Sequence, residues 1–270
     1  MGNILEDNYS VFLGLYTALA RTRSSGQNTY YKVLEAQRQY FINISGVEFS
    51  EEQEKTITLL DDAMHKFYLG AYALEQLWGV HHYLEIADHG MPEFYNANLT
   101  NQQNEIVFLL SALLDQVLYS WRSFLDYYLK YLLFVVTGEY IVTMSTKDFR
   151  KRIGNHIDKY PNDQRAILIT KYVKSKVLCK TFGGEDICWG DLLRSLRDKT
   201  THQKLIKPTL IQRKNQQGYA VSWPTIGGQN YSELAQWEFE NKAFEMLKEL
   251  FPILYGFNWI ADPYKAGMFE

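Results

Sequence analysis

Apolar residues recur along most of this chain at the three- and four-residue spacing of an amphipathic helix. That spacing predicts a succession of helices separated by glycine, proline and small polar residues. Two are expected over residues 4–23 and 27–45, joined by Ser24-Ser25-Gly26. A third opens at Ser50, where Glu51, Glu52 and Glu54 suit the positive end of a helix dipole, and runs to about residue 88, before Gly90 and Pro92. The fourth, from about residue 100 to 136 and stopped at Gly138, is apolar around most of its circumference, which marks a central buried element.

Shorter elements follow. Residues 145–148 read as a capped start, with Ser145 and Asp148 three apart, leading into a basic helix to about residue 158. After Tyr160-Pro161 a helix is expected over about 162–180, ended by Gly183-Gly184, and another over about 185–202. Beyond Pro208, residues 210–213 and 219–223 alternate around 215–218 as a hairpin does, and a last helix covers about 231–254. The expected fold class is all-α: a helical bundle with long central helices and a small β-hairpin at about 209–223. In this reading the chain divides into an acidic helical region (1–98), a bundle (99–256) and a tail (257–270).

Two helices carry polar positions in a pattern. On the central one, Ser111, Asp115, Arg122, Asp126 and Lys130 fall within about 100° of one another, with Arg122–Asp126 and Asp126–Lys130 at pairing distance. A charged stripe on so apolar a helix either reaches solvent or meets partners, because unpaired buried charge is costly. On the 185–202 helix, Trp189, Leu192, Leu193, Leu196 and Thr200 gather on one side, while Asp191, Arg194, Asp198, Thr201 and His202 gather on the other. Asp198 and His202 stand one turn apart. Arg197 and His202 lie roughly 140° apart on an ideal helix, so a frayed last turn, the reach of the arginine or a second copy of the helix must bring them together.

With 270 residues, 46% of them hydrophobic, the chain is long enough to bury a substantial core. Its net charge of −3 hides a division: residues 147–214 hold 17 basic and 7 acidic side chains, and the remainder is correspondingly acidic. The basic block surrounds the Arg197–His202 stretch, and such asymmetry points to a polyanionic partner at that end. Residues 1–20 lack a basic start before an apolar core, so a cytoplasmic location is expected. The apolar stretch 106–136 is interrupted by Asp115, Arg122, Asp126 and Lys130, which predicts a buried helix and no membrane span. Cys179 and Cys188 fit neither zinc-ligand spacing nor a disulfide framework. His81, Glu85 and His89 share a helix, yet a paired Glu-x-x-His repeat is missing, so neither metal nor cofactor is expected.

The run Arg197-Asp198-Lys199-Thr200-Thr201-His202 resembles the motif of the HEPN superfamily: an arginine, a polar residue and a histidine after four to six intervening positions. Arg150 and His156 satisfy the spacing too. The later run is preferred because it closes a strongly amphipathic helix and has a polar residue directly after the arginine, whereas Gly154 interrupts the earlier one. The resemblance covers mainly residues 100–206 and implies a helical bundle that pairs two motifs in a homodimer. It further implies metal-independent RNA cleavage in a toxin or antiphage defence effector, with an antitoxin or defence-system partner. Members without catalysis act as scaffolds, which makes a non-catalytic helical interaction protein the alternative.

In the catalytic reading, His202, with an ordinary pKa of about 6.5, takes and returns a proton. Arg197 grips the phosphate with its planar fork of donors, and Asp198 orients His202. Arg122, Asp126, Arg194 and Thr201 are expected to support this site, and Lys171, Lys174, Lys199 and Lys204 to hold the RNA backbone.

Overall fold

The computed structural model describes residues 48–86, 99–202, 206–212, 219–226, 229–230 and 238–255, with 31, 33–35, 37–38, 41–42 and 46. The expected 4–23 helix and the 257–270 tail lie outside them. Two long helices, α1 (Glu51–Ile86) and α2 (Leu99–Thr137), are followed by α3 (Thr146–Lys159) and α4 (Gln164–Tyr172). A π-helical turn (Val173–Val177) and a short 3-10 turn (Lys180–Phe182) lead into α5 (Trp189–His202). Strand β1 (Thr209–Gln212) pairs antiparallel with β2 (Tyr219–Ser222), β3 (Thr225–Ile226) pairs with β4 (Gln229–Asn230), and α6 (Phe239–Tyr255) closes the bundle. The architecture is that of a mostly α-helical bundle with a small hairpin after α5.

Helix α2 is the axis of the core. Leu110, Leu114, Val117, Leu118, Trp121, Phe124, Leu125, Tyr128 and Leu132 are all fully buried, as its nearly continuous apolar circumference requires. Helix α1 runs antiparallel to it: Lys55 lies over the Phe134 ring, whereas Phe67 meets Trp121 and Phe124 edge-on at 5.0 and 5.3 Å. Gly70 permits that approach, since a Cβ there would come 2.9 Å from the Trp121 indole. Helix α6 buries Phe239, Met246, Leu250, Phe251 and Tyr255 against the same core. There the Tyr131 and Tyr255 hydroxyls bond one another, and Gln37 Nε2 donates to Tyr255 at 2.7 Å. The hairpin is fastened to α1 by Trp223, buried directly after β2, whose indole N–H donates to His81 Nε2 at 3.0 Å.

Local signals explain most boundaries. Gly138 ends α2 at φ +71° and Gly183 ends the 3-10 turn at φ +89°, the left-handed conformation that glycine adopts without penalty. Ser145 and Asp148 form a reciprocal cap on α3, each side chain accepting the other's backbone N–H, and the Ser145 hydroxyl, together with the Ser145 backbone N–H, donates to the exposed Asp148 carboxyl and holds it below its usual range.

The helix expected over 162–180 is shorter than its pattern suggested. Regular α structure stops at Tyr172, and the Leu178 N–H bonds the Val173 carbonyl, one residue further back than an α-helix would. That wider turn keeps Val173 and Val177 in the core and also turns Leu178 and Cys179 inward. It corrects the reading of the cysteines. Cys179 and Cys188 form a disulfide, with Cα atoms 5.4 Å apart, well within the usual range. Spacing rules built on small disulfide frameworks miss a pair that is brought together by one irregular turn.

Candidate functional site

The placement of α5 is decided at its first turn. Gly190 packs so closely that a Cβ would lie 2.7 Å from the Val177 carbonyl oxygen and 2.9 Å from Leu125 on α2. Trp189, Leu193 and Leu196 are buried on the side that the apolar spacing predicted. Asp191 fixes the entry to the helix, accepting the Lys180 backbone N–H at 2.8 Å and the Thr181 hydroxyl at 3.1 Å.

From that anchor α5 descends antiparallel along α2, and the polar stripe of α2 faces it. Arg122 Nη1 lies 2.6 Å from Asp126 Oδ1 in a mostly buried ion pair. Burial raises the Asp126 carboxyl above the ordinary carboxylate range, against the opposing pull of Arg122, Lys130 and Arg194. Arg194 therefore stands close enough to act on Asp126, and its Nη1 donates to Thr146 Oγ1 at 3.1 Å, tying α5 to the first turn of α3. Two turns further along α5, Thr200 lies beside Asp115. Burial raises the Asp115 carboxyl, and the Thr200 hydroxyl partly offsets this. The same hydroxyl lies 2.9 Å from the Arg197 carbonyl, an alternative acceptor for its single proton. The stripe on α2 is thus a half-buried polar layer between two helices. Its Lys130 is drawn outward, donating to the Val142 carbonyl at 2.6 Å.

Arg197 stands three residues from both Arg194 and Thr200, and its guanidinium lies 3.6 Å from Asp198 Oδ1, a partly exposed pair. Lys171 and Lys174 are exposed on α4 and the π-helical turn. His202 is the last residue of α5; its side chain, those of Lys199 and Thr201, and all of Lys204 lie outside the described residues. The structure thus groups Arg122, Asp126 and Arg194, and sets Arg197 and Asp198 on the next turn of the same helix. Sequence reading did not single out Thr146, which is 48 residues from Arg194, nor the Thr200–Asp115 approach, because neither leaves a local signal.

The rival spacing is split apart. Arg150 donates to the Thr181 carbonyl at 2.7 Å, whereas His156 Nε2 lies 3.0 Å from Asp163 Oδ2. Asp163 caps α4 by accepting the N–H groups of Arg165 and Ala166. Its carboxyl is held below its ordinary value: burial raises it, but the bonds from His156 and Ala166 and the charge of Arg165 outweigh that. These are structural ties at two different joints.

On α1, His81 is likewise committed. His81 Nε2 accepts the Trp223 N–H, while the Glu85 side chain and His89 lie outside the described residues. Among the described residues no group of three or more His, Cys, Asp or Glu side chains is placed to hold a metal ion. Nor is any described helix long and apolar enough to cross a membrane. No family model, curated protein or solved structure matches this chain in the comparisons made.

Proposed function

We propose that this chain is a metal-independent endoribonuclease of the HEPN kind, acting as a homodimer in the cytoplasm as a toxin or antiphage effector restrained by a partner protein. The supporting observation is the half-buried polar layer between α2 and α5, in which Arg122, Asp126 and Arg194 adjoin the turn bearing Arg197 and Asp198. A helix with only a core face and a solvent face has no use for such a layer, because each desolvated charge in it carries a cost.

In the reaction, the RNA 2′-hydroxyl attacks the adjacent phosphorus and the 5′-oxygen of the next nucleotide leaves. The products carry a cyclic phosphate and a 5′-hydroxyl. His202 removes the 2′ proton, and a histidine, from this chain or its twofold mate, returns a proton to the departing oxygen, a contribution of about 10² to 10⁴ in rate. Arg197 meets the charge that develops on the phosphate oxygens. Asp198, one turn before His202, orients the imidazole. The exposed Lys171 and Lys174, with Lys199 and Lys204, attract the flanking backbone.

The test is incubation of RNA with wild type, Arg197→Ala and His202→Ala, each with and without chelator. The proposal expects cleavage that survives chelator and drops at least about a hundredfold in both variants. Light scattering reads the oligomeric state. A second reading, a non-catalytic interaction protein, draws on the outer face of α2, where Phe108 and Tyr119 are 65% and 52% exposed, and on the acidic N-terminal region. It expects intact RNA from every variant.

A further inference from the structure

We infer that Cys179 and Cys188 form a reversible redox modification site, an intramolecular dithiol–disulfide pair that sets how firmly the motif helix α5 is fastened to the bundle. The inference stands apart from the ribonuclease reading. Three observations converge on it.

The first is where the two cysteines stand. Cys179 follows the π-helical turn, and Cys188 sits at the head of α5, its carbonyl accepting the Leu192 N–H. Both Sγ atoms approach the same Ser175 carbonyl, at 3.6 and 3.5 Å. The bond therefore joins the end of the α4 segment to the start of the helix that carries Arg197 and Asp198.

The second is access. Cys179 is buried, but Cys188 is only partly so, and residues 183–187 between them are exposed. A small disulfide such as glutathione disulfide reaches Cys188 first. The Cys188 thiolate attacks one glutathione sulfur, forming a mixed disulfide and releasing one glutathione thiolate. The Cys179 thiolate then attacks Cys188 Sγ, closing the ring and releasing the second. Two protein thiols are oxidised, one glutathione disulfide is reduced to two glutathiones, and the two thiol protons pass to the released thiolates.

The third is that non-covalent ties span the same joint as the disulfide. Asp191 bridges the same loop through the Lys180 N–H and the Thr181 hydroxyl, and Arg150 holds the Thr181 carbonyl. A chain with a core this large does not depend on a covalent staple as small secreted domains do. Two parallel fasteners of one joint, one of them covalent and accessible, form a redundancy that oxidation and reduction can modulate. With a sequence separation of only 9, closure shifts the loop's opening equilibrium by roughly 10²-fold at most.

The experiment equilibrates the full-length chain in graded mixtures of reduced and oxidised glutathione, quenches in acid, alkylates with a maleimide and counts labels by intact mass. Hydrogen exchange of residues 189–202 is read in the same samples. The inference expects two labels in excess glutathione, none in excess glutathione disulfide, and amide exchange in α5 that quickens about tenfold or more on reduction. It also expects Asp191→Asn to quicken that exchange strongly in the reduced protein and weakly in the oxidised one. Cys188→Ser should exchange like the reduced wild type in every mixture. Two labels in every mixture, none in any, a mixed glutathione adduct that never closes, or α5 exchange indifferent to the disulfide would each overturn the inference.

Discussion

Arg122 Nη1 lies 2.6 Å from Asp126 Oδ1 on α2, and the pair is turned toward α5, where Arg194 also acts on Asp126. The stripe of polar residues on the central helix is therefore a joint between helices. Breaking one side of it leaves the other charge desolvated. Arg122→Met is expected to destabilise the protein by about 1–3 kcal/mol in chemical denaturation, and adding Asp126→Asn should recover at least half of that loss. Additive losses in the double variant would mean that the two side chains do not depend on each other.

Asp115 behaves differently, because burial raises its carboxyl and its neighbour Thr200 offsets only part of the shift. A carboxyl whose pKa is higher in the folded than in the unfolded state weighs against folding once it ionises. That penalty is absent below the unfolded value of about 4 and grows as pH rises through the folded one. Asp115→Asn should therefore melt higher than wild type at pH 7, and the advantage should vanish near pH 3. Scanning calorimetry at the two pH values measures it.

Asp163 carries the opposite sign. Bonds from His156 and Ala166 outweigh its desolvation and depress its carboxyl, so it stabilises the fold where it is ionised in both states, above a pH of about 4. The contribution is lost as pH falls through the lower folded value. Asp163→Ala should cost about 1–2 kcal/mol at pH 7, including the loss of the α4 cap. The gap to wild type should narrow progressively below pH 4, as followed by urea unfolding.

Gly190 has no room for a methyl group, and its nearest obstacle is the Val177 backbone carbonyl, which cannot rotate aside. Gly190→Ala is expected to cost about 1–3 kcal/mol through overpacking, less whatever the helix gains from alanine. It should also push α5 away from α2 and the π-helical turn. Faster exchange of the Leu193 and Leu196 amides, with α1 unchanged, is the expected signature.

Much of this fold was legible in one dimension. The extents of α1 and α2, the cap at Ser145, the stop at Gly138 and the hairpin before Trp223 all arise from neighbours in sequence, where side-chain spacing and backbone preference act directly. The α4 pattern misled because Val173 and Val177 keep helical spacing through a turn that is no longer α. The cysteines misled for a related reason: their meeting depends on that one irregular turn.

The chain by itself determined that α2 is apolar around most of its circumference, that it carries a polar stripe, and that α5 has one apolar face with Arg197 and Asp198 near its end. These are properties of periodicity, which a linear pattern encodes completely. Only the tertiary structure decided that the stripe meets α5 instead of water, that Arg194 reaches Thr146 across 48 residues, and that Gly190 sets the distance of approach. Such choices depend on which faces find each other when the core closes. Burial is collective, and no local spacing records which distant partner will satisfy a desolvated charge.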